Sequence, residues 1–170
     1  VNPPSVEKAI KLFIQLVDME SQVLLPFIRP IISEEAQTFL DIKTDWDTKP
    51  DLTNYMQNIA ERYNLASEWS LFQEKYSLIL GPVTTMQPFE VGYDIAGSEQ
   101  KNKFIRSKDL AMVANFLGLP SVVTPVQVVN GLPQSIQIIG ARYHEDLCFD
   151  AAEKIEQELG VLTPIDPLDD

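Results

Sequence analysis

The sequence predicts an α/β protein, with a helical first half and a second half of a few strands, including one hairpin, covered by helices. Three observations carry this prediction. Apolar residues recur at helical spacing through the stretches that follow Ser5 and Asp51. Gly118 followed by Pro120 ends a third helical pattern, because Gly tolerates a left-handed C-terminal cap and Pro cannot continue a helix. Two runs rich in β-branched residues then flank Asn130-Gly131, the pair that best accepts two positive φ angles, so they read as an antiparallel hairpin.

Taken in order, Ser5 is expected to cap a first helix, with Glu7 in its first turn and Ile10, Phe13, Ile14 and Val17 on its apolar face. Pro26 and Pro30 are expected to end it. Ser33 starts a second helix, with Glu34 and Glu35 at its positive end and Ala36, Phe39 and Leu40 turned inward. The sequence DWDTKP at 45–50 reads as a turn. Asp51 then caps a helix whose stripe is Leu52, Tyr55, Met56, Ile59 and Tyr63; whether Asn64 interrupts it is left open. Trp69, Phe72, Gln73 and Tyr76 continue the helical spacing into a strand at 77–83, and an aromatic stripe of this kind is core far more often than ligand box.

Residues 84–106 show no clear period and read as a long loop, a feature often tied to function. Ser107 is expected to cap the helix carrying Leu110, Val113, Ala114 and Leu117. The hairpin strands are 121–126 and 133–139, the second alternating Ser135 and Gln137 with Ile136 and Ile138. Pro125 and Pro133 each remove a ladder donor, which places them at an edge, a bulge or a strand start. Glu145 and Asp146 open a last helix, Gly160 and Pro164 close it, and the acidic tail DPLDD is expected to fray.

With 170 residues the chain can form one domain that buries about 70% of its unfolded surface. Hydrophobic residues make up 45% and charged residues 22%, a globular and not a disordered composition. Thirteen basic against twenty-five acidic residues give a net charge of −12, which repels phosphate backbones and anionic lipid and argues against nucleic acid and membrane partners. The single cysteine, Cys148, allows no internal disulfide and points to a reducing, cytoplasmic setting. No apolar run is long enough to span a membrane, and no signal peptide opens the sequence. The chain starts at Val1 without Met, as a piece of a longer polypeptide would, although removal of a tag or an initiator Met gives the same start.

The residues that could carry chemistry are few. Cys148 shares an apolar helix side with Ala151, Ala152, Ile155 and Leu159 and reads as a buried small residue, not a nucleophile. His144 is the only histidine and reads as a capping or surface residue. One His and one Cys cannot assemble a zinc site, and no carboxylate spacing marks magnesium or calcium, so neither metal nor cofactor is expected. The seven glycines are scattered, with no Gly-x-Ser-x-Gly elbow and no phosphate-binding loop. Ser98-Glu99-Gln100-Lys101 has Ser-x-x-Lys spacing, but it lacks companion motifs and reads as a chance match.

Asn115-x-x-Gly118-x-Pro120, Pro125, Gly131-Leu132-Pro133 and Gln137-Ile138-Ile139-Gly140 together resemble the closing segment of the amidase signature family, serine hydrolases of amide bonds. The similarity continues into Arg142, Glu145 and the helix ending at Leu159. Upstream it takes in FQEKYSLILGP at 72–82, similar to the family's helix leading into a strand that ends at Pro. It covers 69–159 and hardly touches 1–68. Two departures fall in the hairpin: Gln127 and its neighbours, and Ser135, stand where Gly is usual, and neither removes a catalytic group.

The resemblance implies that residues 1–170 form a single C-terminal portion of the amidase signature fold, contributing the last strands of a mixed sheet. Residues 1–68 would be a helical, variable part that shapes access, residues 69–160 the strand and helix segment, and residues 161–170 a tail. The family's Ser, second Ser with a cis peptide and Lys lie upstream in a Gly-Ser-rich stretch that this chain does not contain, so no catalytic residue is expected here. The missing N-terminal part of the same enzyme is the implied partner, and a small-molecule amide the implied substrate, with homo-oligomerisation open. Pro82, Val83 and Thr84, at the end of the strand that in the family runs toward the substrate channel, are the expected substrate-lining residues. The alternatives are a stand-alone binding domain without catalysis, or a piece of the amidase-like subunit that supplies ammonia for misacylated transfer RNA.

Overall fold

The computed structural model describes residues 1–45 and 51–160. Six helices and three strands follow in the order α1 (Val6–Ile28), a 3-10 turn (Arg29–Ile31), α2 (Glu34–Asp41), α3 (Leu52–Lys75), β1 (Leu78–Pro82), a second 3-10 turn (Tyr93–Ile95), α4 (Ser98–Arg106), α5 (Asp109–Leu117), β2 (Ser121–Val129), β3 (Leu132–Gly140) and α6 (Glu145–Leu159). The expected turn at 46–50 and tail at 161–170 lie outside the described residues.

All three strands pair antiparallel in the order β1-β3-β2, so β3 is the central strand. Asn130 and Gly131 adopt φ 53° and 78°, and Val129 pairs with Leu132, as the hairpin reading requires. A bulge between Pro125 and Gln127 leaves Val126 without an opposite residue. Pro125 therefore sits beside a bulge on an edge strand, and Pro133 is the second residue of β3.

One face of the sheet carries the main core. Ile79 and Ile139 join Ala9, Leu12 and Leu16 of α1, Leu65 and Trp69 of α3, and Val113, Phe116 and Leu117 of α5. The other face is covered by α6, which packs on β2 and β3. There Thr124 donates to Glu156, and Gly140 leaves no room for a side chain beneath the Cys148 sulfur. Leu80, paired with Ile138 on this face, remains 57% exposed. Among the described strands β1 pairs with β3 alone and is an apolar edge strand, an arrangement that invites further pairing.

Several sequence expectations are corrected. Ser5 is left-handed and makes no cap; its hydroxyl donates to Glu68, 2.7 Å away. Pro26 lies inside α1, because in the last turn its ring removes only one hydrogen bond from a helix already fixed by buried Leu12, Leu16 and Met19. The stripe assigned to early α3 is core only in part: Tyr55 and Ile59 pack against it, Leu52, Met56 and Tyr63 are exposed, and Leu65, which the stripe omitted, is buried beside Trp69 and Gln73, which continue it as expected. Asn64 does not interrupt the helix. Residues 98–106, expected as loop, form α4. Ser107 follows α4 instead of capping α5. Ser33 and Asp51 do cap α2 and α3, accepting from the amides of Ala36 and Thr53.

Candidate functional site

β1 ends at Pro82 because Pro has no amide to donate and the chain must leave the ladder. A short hydrogen-bond chain pins the residues after it. Thr84 Oγ1 donates to Ser107 Oγ at 2.9 Å, Ser107 Oγ donates to the carbonyl of Phe104 at 2.8 Å, and the Thr85 amide donates to the Ser107 carbonyl at 2.8 Å. The exit of β1 is thereby tied to the junction of α4 and α5.

Beside this junction runs a cleft of about 1000 Å³ along β1. Leu78, Leu80 and Pro82 line it together with residues 1–3 and 5–8, Tyr76, Ser107, Asp109 and Leu110. Burial pushes the Asp109 carboxyl up from its ordinary value, with Arg106 opposing and Glu7 adding to the rise. Of the three residues expected to line a substrate path, Pro82 borders this cleft, Thr84 fastens its rim, and Val83 between them is partly buried. Ser107, read from the sequence only as a helix cap, and Asp109 were not expected at the site. They stand at a helix junction concealed by the loop reading of 84–106, and no motif marks them.

The groups that could perform catalysis are otherwise engaged. Ser107 is buried and its hydroxyl proton is spent on a carbonyl, so no base is positioned to take it. Ser98 is exposed at the start of α4, while Lys101 is buried and donates from Nζ to the carbonyls of Phe39 and Ile42 at the end of α2, so the Ser-x-x-Lys spacing forms no dyad. His144 is exposed ahead of α6, makes no side-chain cap, and has Asp146 Oδ1 4.0 Å from Nδ1. Cys148 is fully buried and burial pushes its thiol up, the reverse of what a nucleophile needs. Among the described residues no three His, Cys, Asp or Glu side chains group as metal ligands, and no helix is long and apolar enough to cross a membrane.

The family described as Amidase matches residues 14–149. Over 114 residues the chain is 40% identical to an indoleacetamide hydrolase of Bradyrhizobium japonicum, covering 66% of this chain and 24% of that protein. Over 84 residues it is 32% identical to the A subunit of the glutamyl-tRNA(Gln) amidotransferase of Lactobacillus gasseri, covering 49% of this chain and 17% of that protein. A crystal structure of an amidase superposes with a TM-score of 0.67 at 20% identity, over 92% of this chain and 36% of the other. The chain therefore spans about a quarter or less of the curated relatives it matches here.

Proposed function

Since the chain belongs to the amidase family, we propose that it is the C-terminal portion of an amide hydrolase whose Ser, second Ser and Lys reside in an N-terminal part of the same enzyme. The complete protein would attack the amide carbonyl with its Ser oxygen, expel the amine or ammonia as the C–N bond breaks, and hydrolyse the resulting ester with water. This chain would hold the sheet and line the substrate side with Pro82, Val83 and Thr84, while residues 1–68 shape access. A cytoplasmic location accords with the single, buried, unpaired Cys148.

The observation that carries the reading is the family match over residues 14–149, in a chain where Ser107 donates to a backbone carbonyl, the Ser98–Lys101 spacing forms no dyad and the Cys148 thiol is buried. The edge position of β1 among the described strands, with Leu80 exposed on it, supports a partner that continues the sheet. A second reading, a piece of an amidotransferase A-type subunit working in an assembly, is favoured by the likeness to the Lactobacillus gasseri protein of that name.

Ammonia release from simple amides tests both readings. This chain alone should release none. A polypeptide joining it to a Gly-Ser-rich N-terminal part should release ammonia, and a serine-directed phosphonofluoridate should abolish the reaction. Hydrolysis by this chain alone, or none by the joined protein, would sink the first reading. Ammonia released from glutamine only when further subunits are present would favour the second.

A further inference from the structure

A second cleft, of about 590 Å³, lies between the last turns of α3 and the turn that joins β3 to α6, a size suited to a small molecule. Ser70, Gln73, Glu74 and Ser77 line it on the α3 side, and Arg142 and His144 on the other. Ser77 precedes β1 and Arg142 follows β3, and Leu78 pairs with Gly140 whereas Pro82 pairs with Ile136. The cleft therefore lies at the end of β1 remote from Pro82.

Two features of the lining point to a ligand. Gln73 is only 5% exposed, and its Nε2 has no acceptor among the described residues. A buried donor left unpaired is costly, and an acceptor oxygen entering the cleft relieves that cost once the amide turns toward it. Glu74 and Arg142 line the same cleft with opposite charges and do not pair with each other. Arg142 donates to the Leu117 carbonyl from Nε and Nη2, and its Nη1 makes neither of those bonds.

The neighbouring charges are mixed. Arg62 reinforces the Arg142 end, since the Nη2 atoms of both lie 3.8 Å from a methyl group placed on Gly118. Glu145 lines a smaller cleft that shares Arg142 with this one, and Asp146 Oδ1 lies 4.0 Å from His144 Nδ1. A ligand with a single charge of either sign meets an opposite charge at one wall and a like charge at the other. A zwitterion meets an opposite charge at both.

We propose that this cleft is a binding site for a small zwitterion of the α-amino acid type, its ammonium on Glu74, its carboxylate on Arg142 and the Gln73 amide, and its remaining polar atoms on Ser70 and Ser77. The site is separate from the cleft along β1 and does not depend on hydrolysis. Titration of this chain with L-serine, followed by 1H–15N chemical shifts, should give saturable changes confined to residues 66–77 and 141–147. N-acetyl-L-serine, which lacks the ammonium, and L-serine methyl ester, which lacks the carboxylate, should each bind about tenfold more weakly or worse. Glu74→Gln removes an exposed charge and should weaken L-serine about tenfold, leaving N-acetyl-L-serine and the circular dichroism unchanged. Gln73→Met removes the unpaired amide; it should weaken L-serine about threefold while the free chain unfolds at no lower temperature. Equal binding of the three compounds, shifts that never saturate, or a folded Glu74→Gln or Gln73→Met chain that binds L-serine as tightly as the parent would overturn the assignment.

Discussion

The indole Nε1 of Trp69 donates to the carbonyl of Pro4 at 2.8 Å, joining the last third of α3 to the segment that precedes α1. Trp69 is wholly buried and touches the main core, so one side chain serves packing and the placement of the N-terminal residues that wall the larger cleft. Trp69→Phe removes the donor and leaves a void; it should cost about 2–4 kcal/mol in urea unfolding. Limited proteolysis near residues 1–5 should also quicken. Unchanged cleavage there would mean that the hydrogen bond does not hold the segment.

Gly140 is required by space. A methyl group on it would lie 2.7 Å from the Cys148 sulfur and 3.1 Å from the His144 carbonyl. Gly140→Ala should destabilise by about 1–3 kcal/mol. Adding Cys148→Ala removes the sulfur but not the carbonyl, so the double variant should lose less than the sum of the two single losses. Strict additivity in thermal unfolding would contradict the contact.

Burial raises the Cys148 thiol above its ordinary value near 9. A folded-state value above the unfolded one means that the folded chain holds the proton more tightly. The stabilisation is then complete below the unfolded value and is lost as pH rises toward and through the folded one. Stability should fall above pH 9 in the native chain and fall less in Cys148→Ala. At pH 8 the native thiol should react with a disulfide reagent at least about tenfold more slowly than in urea. Equal rates would place the thiol at the surface.

Lys101 closes the end of α2, where carbonyls lack helical partners and a positive charge is favourable. Lys101→Met leaves the carbonyls of Phe39 and Ile42 without that donor and should cost about 1–3 kcal/mol. Amide exchange in α2 should accelerate ahead of the rest of the molecule. Ser98→Ala, at an exposed site, should stay within about 0.5 kcal/mol of the parent. A Ser98 variant as damaging as the Lys101 variant would revive a pairing between them.

The hairpin was legible because its signals are local: Asn130-Gly131 sets the turn and the flanking Val and Ile residues set the strands. Gly118 closes α5 in the left-handed conformation for the same kind of reason. α4 was hidden because its inward residue is a lysine, which a search for apolar period discards, although Lys101 is only 7% exposed. The inward face of α3 was misplaced for a tertiary reason. Its first turns run beside the second half of α1, where Tyr55 donates to Glu20 and, with Ile59, packs against the core, while Leu52 and Met56 stay exposed despite ideal spacing. At the site, Pro82 was readable as a strand end. The hydrogen bond from Thr84 to Ser107 spans 23 residues and depends on a helix junction that composition conceals.

The strand order has a consequence for biosynthesis. β1 pairs only with β3 among the described strands, and β3 follows it by some fifty residues, or roughly 3–10 s of translation at about 5–20 residues per second. During that interval an uncharged apolar strand is outside or leaving the ribosome without its partner, whereas β2 meets β3 almost at once. The nascent chain should therefore pass through a stage in which hairpin closure gates sheet assembly, and slowed elongation across residues 83–120 should lengthen its exposure to chaperones.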